Sequence, residues 1–347
     1  MEREVSFPKI SIAPMVDRSD THFRRICRIM TKKALLYTEM TTAPAIIKGD
    51  HNRLLYFNDI ERPISLQIAG SDPGEMAEAT EIADGFDFHS VNINAGCPSD
   101  NVSEYKMGAC LMSEPDLVRD MVVEMKKKTS KPITVKQRIG IDGRSIFDDE
   151  NMLLDRYEDM LNFVDTISEA GVIRFIVHAR IAILGGLSPH KNRTIPPIRY
   201  DDVYRLKNER PELGVEINGG IKSINDVKKH LENTDSVMIG RASYENPLLL
   251  CFIDDIIEGK EPDTDLTRRK IFKEIVRYAE ELEGCGHKSI PILKHLPGFM
   301  HGKRGSKAWK QAIMPPYEKD KASDIIRDAM SIIDEEVLDE RINAKDF

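Results

Sequence analysis

Short apolar runs alternate with longer amphipathic stretches from the first residues to about residue 245. Eight of the short runs have the length and the apolar content of buried strands. They are Ile10–Met15, Leu35–Glu39, Ile64–Ala69, Ser90–Asn94, Ile133–Arg138, Arg174–His178, Gly214–Asn218 and Ser236–Gly240. Between them, apolar residues recur at helical spacing in Thr21–Met30, Pro73–Ala83, Pro115–Lys127, Tyr157–Ala170, Tyr200–Lys207 and Ile224–Leu231. In one of these, Leu117, Met121 and Met125 share a face. Eight strands alternating with helices predict an α/β fold, a (β/α)8 TIM barrel. A doubly wound open sheet is the alternative, but no Gly-x-Gly-x-x-Gly follows the first strand. After Pro247 the pattern becomes helical over Leu248–Ile257, Leu266–Glu283, Ser289–Met300 and Ala322–Leu338. The expected organisation is a catalytic barrel over residues 1–246 and an all-helical C-terminal domain over residues 247–347.

The ends of the strands carry the chemistry. The active face of such a barrel lies at the carboxyl ends of its strands. There the chain places Ala13-Pro14-Met15, Gln67, Asn94 with Cys97, Lys136 with Arg138, His178, Asn218-Gly219-Gly220 and Gly240-Arg241. Polar residues are unusual in strands that otherwise read as buried. Glycines at the last two strand ends let backbone N–H groups approach a ligand, and barrels often bind phosphate at these two loops. Flavin mononucleotide (FMN) suits this set. Its phosphate would lie at Gly219, Gly220, Gly240 and Arg241, and its ring would meet Gln67 and Lys136 over the backbone of Ala13–Met15. A cation near the ring stabilises reduced flavin.

Composition narrows the picture further. The hydrophobic fraction is 41%, the charged fraction 31% and the net charge −8. A wholly basic nucleic-acid-coating protein is excluded; a local basic patch is not. Five cysteines without a pairing pattern point to reduced thiols and a cytoplasmic setting. No apolar run approaches the length of a membrane span. No His, Cys or Asp spacing marks a metal site. A monomer is the expected state.

The segments Ala13-Pro14-Met15, Gln67-Ile68-Ala69-Gly70, Asn92-Ile93-Asn94-Ala95-Gly96-Cys97-Pro98, Val135-Lys136-Gln137-Arg138, Val177-His178-Ala179-Arg180, Ile217-Asn218-Gly219-Gly220-Ile221 and Met238-Ile239-Gly240-Arg241-Ala242 together resemble the tRNA-dihydrouridine synthases. The runs Gly186–Arg193 and Ile195–Tyr200 resemble the A-type branch, which modifies uridines 20 and 20a of the D-loop. The resemblance implies FMN held by Gln67, Lys136, His178, Asn218, Gly219, Gly220, Gly240 and Arg241, with NADPH as reductant. It implies a tRNA uracil contacted by Asn94 and Arg193, and Cys97 as proton donor. Reduction needs a hydride at C6, from reduced flavin, and a proton at C5. An ordinary thiol titrates near about 8.5 and holds its proton at neutral pH, so Cys97 can serve as the acid.

Two features bear on tRNA. The family usually carries a basic residue four positions beyond the cysteine, where this chain has Asn101. Lys303, Arg304, Lys307 and Lys310 form an acid-free basic window around Trp309, the only tryptophan, which is expected to be a packing anchor. His190, Lys191, Arg193 and Arg199 form a second basic group. The expectation is a basic channel between barrel mouth and helical domain, reached by Lys307 and Lys310. The alternative function is a flavin-dependent reductase of a free pyrimidine, of the dihydroorotate dehydrogenase kind, which leaves the helical domain unexplained. A tRNA-binding protein without chemistry is a third class, opposed by Cys97 and the flavin set.

Overall fold

The computed structural model describes residues 8–99 and 106–347. Eight parallel strands close into a barrel: β1 (Ile10–Ile12), β2 (Leu35–Thr42), β3 (Ile64–Ala69), β4 (Ser90–Ala95), β5 (Ile133–Arg138), β6 (Arg174–His178), β7 (Gly214–Asn218) and β8 (Ser236–Ile239). Each strand pairs with the next in sequence, and β8 pairs with β1. This is the expected TIM barrel. β1 is shorter than expected because the chain turns after Pro14, where the amides of Arg18 and Ser19 both donate to the Met15 carbonyl. β2 is longer, and its register against β3 shifts between Tyr37 and Met40; such a bulge re-aims the side chains beyond it.

The ring of helices is α1 (Thr21–Met30), α2 (Ala43–Lys48), α3 (Pro73–Asp84), α4 (Pro115–Lys126), α5 (Tyr157–Ser168), α6 (Tyr200–Glu209), α7 (Ile224–Leu231) and α8 (Ile253–Glu258). Helix α2 has six residues, too few to show a helical period in sequence. The stretch expected as one helix over Leu248–Ile257 is a 3-10 segment, Pro247–Phe252, followed by α8. Asp254 of α8 accepts from the Thr31 hydroxyl and from the amides of Lys32 and Lys33, which ties it to the end of α1. This segment therefore packs as the last part of the ring.

Side-chain parity decides what the barrel encloses. Alternate strand residues point to opposite faces. One set (Ile12, Leu66, Ile93, Val135, Val177, Ile217, Ile239) joins the large apolar core between strands and helices. The other set faces inward and is mostly polar. Its lower part holds a buried ion pair: Glu216 accepts from Arg174 at 2.7 Å and from Ser11 at 2.5 Å. Losing one member of such a pair costs about 3–5 kcal/mol. A small separate cluster, Ala13, Leu35, Tyr37, Ile176 and Met238, is the apolar plug of the interior. Polar side chains resume above it, toward the carboxyl ends.

Beyond residues 259–267, α9 (Arg268–Gly284), α10 (Ser306–Ile313) and α11 (Ala322–Ser331) form a helical layer. The expected helix over Ser289–Met300 is instead two 3-10 segments, each opened by a proline, Pro291 or Pro297. That over Ala322–Leu338 is α11 and a separate short helix, Glu335–Asp339. Trp309 is fully buried, stacks on Phe272 with ring centroids 4.4 Å apart, and donates its indole N–H to the Leu296 carbonyl at 3.0 Å. It is the packing anchor the sequence suggested. The layer sits on α1: Asp20, which caps that helix, lies 2.7 Å from Lys294 and 3.0 Å from His295, and His22 pairs with Tyr278 at 2.8 Å. It also meets the loop after β8. A Cβ at Gly298 would stand 2.6 Å from the Tyr244 carbonyl, so only glycine permits this approach. Among the described residues no helix is long and apolar enough to cross a membrane.

Candidate active site

Cys97 is held by its backbone. β4 ends at Ala95, and Asn94 just before it folds its side chain back, so that its Oδ1 accepts from the amides of Gly96 (3.1 Å) and Cys97 (3.0 Å). The Cys97 carbonyl accepts from the Ala109 amide at 2.9 Å. The Gly96 carbonyl accepts from Arg138 Nε at 2.9 Å. Arg138 also donates to the carbonyls of Ile181 (2.9 Å) and Asn192 (3.2 Å). One buried guanidinium thus joins the cysteine loop to the loop that carries Arg193. The thiol is half-buried, packed against Ala69, Met107 and Met40.

The inward set above the apolar plug forms one hydrogen-bonded layer. Asn92 Nδ2 donates to Thr134 Oγ1, Gln67 Nε2 to Asn92 Oδ1 and Asn94 Nδ2 to Gln67 Oε1, at 2.8, 2.8 and 2.9 Å. Both polar atoms of Asn94 are therefore engaged within the chain; its position is one that supports Gln67 and Cys97. Lys136 follows on β5. It makes no ion pair among the described residues, and its pKa is pushed down to about 8, by burial first and then by Arg138, against the opposite pull of Cys97 and Glu216. His178, buried at the end of β6, is held well below the ordinary histidine value, by burial and then by the charges of Arg138 and Lys136. It is a neutral imidazole at pH 7.

Beside this layer lies an anion cradle. Gly219 and Gly220 have φ of 107° and 73°. A Cβ at Gly219 would fall 2.4 Å from the His178 ring, and one at Gly220 would fall 2.4 Å from Ile198 Cδ1 and 2.6 Å from the Tyr200 hydroxyl. Gly240 faces open space, with nothing nearer to such a Cβ than Asn218 Nδ2 at 3.9 Å. The amides of Gly219, Gly220, Gly240 and Arg241 find no acceptor among the described residues. Asn218 donates to the Met238 carbonyl at 2.8 Å and locks the two strand ends together. Ala13 bonds to the Ile239 carbonyl at 2.9 Å, which puts the Ala13-Pro14-Met15 turn next to β8.

The rim is cationic. Arg241 reaches the Arg193 carbonyl at 3.4 Å. Arg193 is exposed, yet crowding holds its pKa below the usual arginine range: partial desolvation first, then the charges of Arg241 and Arg18, with Cys97 opposing. The predicted residues Ala13, Gln67, Asn94, Cys97, Lys136, His178, Asn218, Gly219, Gly220, Gly240, Arg241 and Arg193 thus gather at one mouth. His190 is exposed on the same loop as Arg193. Asn101 lies outside the described residues. Lys307 and Lys310 are not at the mouth; they line a separate groove on α10 with Met314, Pro315 and Pro316, about 740 Å³ in volume. The basic window is only half free: Lys303 pairs with Glu340 and Arg304 with Asp334, whereas Lys307 and Lys310 make no ion pair among the described residues. Among the described residues no cluster of three His, Cys, Asp or Glu could hold a metal. The sequence reading passed over the structural roles of Arg138, Asn92 and Tyr200. Arg138 had a signal, a charge at inward parity on a buried strand; Tyr200 had none.

A barrel with a polar mouth, a held cysteine loop and a glycine-lined cradle of free amides has the layout of a TIM-barrel enzyme. Solved structures share the fold: a 2-naphthoyl-CoA reductase complex (TM-score 0.53, 10% identity, 75% of this chain and 53% of that one) and histamine dehydrogenase from a Rhizobium species (TM-score 0.52, 11% identity, 73% and 46%). The chain spans about half the length of these two. Its sequence matches the family model described as "Dihydrouridine synthase (Dus)" over residues 11–334, and the chain belongs to that family. Relatives named tRNA-dihydrouridine(20/20a) synthase include those of Synechocystis sp., 45% identical over 89% of each chain, and of Vibrio parahaemolyticus, 40% identical over 95% of this chain and 98% of the other.

If Arg138 clamps the cysteine loop, Arg138→Ala frees the Gly96 carbonyl and loosens Cys97. Iodoacetamide labelling of Cys97, followed by peptide mass spectrometry, is expected to quicken several-fold, with exposed Cys285 as internal standard. An unchanged rate would remove this role.

Proposed function

We propose that this chain reduces uridine to 5,6-dihydrouridine in the D-loop of tRNA, at positions 20 and 20a, using bound FMN and NADPH. Its relatives carry this activity in their names and match it nearly end to end. The observation that carries the mechanism is the clamped Cys97 thiol at the same mouth as the unpartnered Lys136 and the free amides of Gly219 and Gly220.

The residues present fit FMN. Free amides, positive-φ glycines and Arg241 suit a phosphate dianion. Lys136 supplies the cation that the reduced ring requires, and Gln67, with an N–H to spare, and neutral His178 complete the lining. Ala13-Pro14-Met15 would support the ring, and Asn218 would fix the phosphate loop. When bound, this flavin supplies the hydride for C6 of the uracil. The chain supplies the rest. Cys97 Sγ gives its proton to C5. The thiolate that remains faces Lys136, Arg138 and Arg193, whose charges interact with this sulfur. Arg193 offsets negative charge on the uracil oxygens. The base must leave its stack to reach a site at the mouth of a barrel.

We assign the chemistry to residues 1–246 and tRNA docking to 247–347, with His190 and Arg193 at the rim, Lys307 and Lys310 on α10, and Asn101 four positions beyond Cys97 in sequence. A cytoplasmic monomer completes this reading. The family match over nearly the whole chain displaces the free-pyrimidine alternative.

Three outcomes test the proposal. Incubation of unmodified tRNA with the protein and NADPH is expected to add the mass of two hydrogens at uridine 20 or 20a; Cys97→Ala abolishes the gain and keeps the flavin. Turnover of free uracil or orotate without any gain on tRNA would overturn it. FMN affinity depends on the Lys136 charge. That charge is present below its pKa of about 8 in the unliganded protein and lost above it, so affinity falls about tenfold per pH unit once pH exceeds 8. Fluorescence titrations from pH 7 to 9.5 should show the fall in wild type and a flat profile in Lys136→Met. Finally, Lys307→Glu with Lys310→Glu should weaken tRNA binding at least tenfold in filter assays and leave FMN affinity unchanged; full tRNA affinity would remove α10 from the interface.

A further inference from the structure

The peptide between Gly219 and Gly220 has two sides. Its carbonyl accepts a hydrogen bond from the Tyr200 hydroxyl at 2.9 Å. A trans peptide sets C=O and N–H in opposite directions. The Gly220 N–H therefore points away from Tyr200, and it has no acceptor among the described residues. Neither glycine has a side chain to oppose rotation of this peptide plane, and both already occupy positive φ. A flip would turn a carbonyl oxygen to where the N–H now points. A carbonyl there repels an anion. The Tyr200 bond is the interaction that opposes the flip.

Tyr200 is itself well seated. It opens α6, directly after Arg199, whose amide donates to the Ala179 carbonyl at 2.9 Å. Its ring meets the edge of the His230 ring, with centroids 4.4 Å apart and planes at 67°. His230 is buried and pairs with the Tyr204 hydroxyl at 2.7 Å. Two helices, α6 and α7, thus aim one hydroxyl at one carbonyl.

We infer that Tyr200 is a positioning residue for the cofactor phosphate: its hydroxyl locks the Gly219–Gly220 peptide with the N–H toward the anion. The inference rests on the FMN reading above. It concerns the phosphate and not the ring, and this makes it separable. The full chain, freed of flavin, is titrated with FMN and with riboflavin, which lacks the phosphate. Wild type is expected to bind FMN more tightly. Tyr200→Phe keeps the ring and its packing and removes the hydroxyl. FMN affinity is expected to fall about tenfold, with riboflavin affinity and the urea unfolding midpoint unchanged. Equal weakening of both ligands, or no weakening of FMN, overturns the assignment while leaving the flavin reading intact. Equal affinity of wild type for FMN and riboflavin overturns the cradle, and the role of Tyr200 with it.

Discussion

The constraint on which the rest depends is the parity of the strands. The barrel strands bury both faces, and the outward face is mostly apolar, with Thr38 and Gln137 as its buried polar exceptions. The inward face carries Ser11, Ser65, Gln67, Asn92, Asn94, Thr134, Lys136, Arg174, His178, Glu216 and Asn218, with one small apolar plug between them. Buried polar groups must be partnered, or they cost about 1–3 kcal/mol each. Below the plug Ser11, Glu216 and Arg174 partner one another. Above it the pairing stops short: Lys136 and the amides of the glycine loops lack acceptors among the described residues. That shortfall at one end of the barrel is why we propose this end as the ligand site and an anion as its occupant.

The same parity explains how much could be read from the sequence. Four strands, β3, β5, β6 and β7, have the expected ends: β5, β6 and β7 stop on an inward polar residue, Arg138, His178 or Asn218, and β3 stops before Gly70. The site residues were legible for that reason: Gln67, Asn94, Lys136, His178 and Asn218 interrupt apolar runs. What lay beyond reach was anything decided by a partner distant in sequence. Arg138 clamps Gly96 and Asn192, separated from it by 42 and 54 positions. Tyr200 reaches Gly219, 19 positions on, from a helix whose periodicity says nothing of its first residue. The helical layer was overread for a local reason. Pro291 and Pro297 remove amide donors, so Ser289–Met300 tightens into 3-10 turns that apolar spacing cannot distinguish from one helix.

Charge shows the same dependence on partners. A chain of net charge −8 is a poor match for RNA in bulk. Counted as sequence, residues 303–310 look like four cations in a row of eight. In the fold, Glu340 and Asp334 offset Lys303 and Arg304, and Lys307 and Lys310 remain. The acids responsible come from the end of the chain and were invisible to a local window. The cations at the barrel mouth differ in kind. Arg18, Arg193 and Arg241 stand close enough to oppose one another, and among the described residues none of the three forms an ion pair. Crowding like charges is unfavourable, and Glu245, which pulls against it at Arg193, forms no ion pair with any of the three among the described residues. An anionic ligand relieves it.

A cleft of about 740 Å³ between α1, residues 52–61 and α9 sharpens this point by contrast. It is large and lies at the junction of barrel and helical layer, but its innermost charges are paired with each other. Arg24 is bonded to Glu61 at 2.6 Å, and Arg25 reaches Glu281 at 3.0 Å. Space alone therefore does not mark the site. Arg25–Glu281 and His22–Tyr278 join its two walls, so these groups hold the helical layer against α1. At the barrel mouth donors and cations outnumber their acceptors among the described residues, and this unmet demand for negative charge, rather than volume, is the ground on which we propose it as the working face.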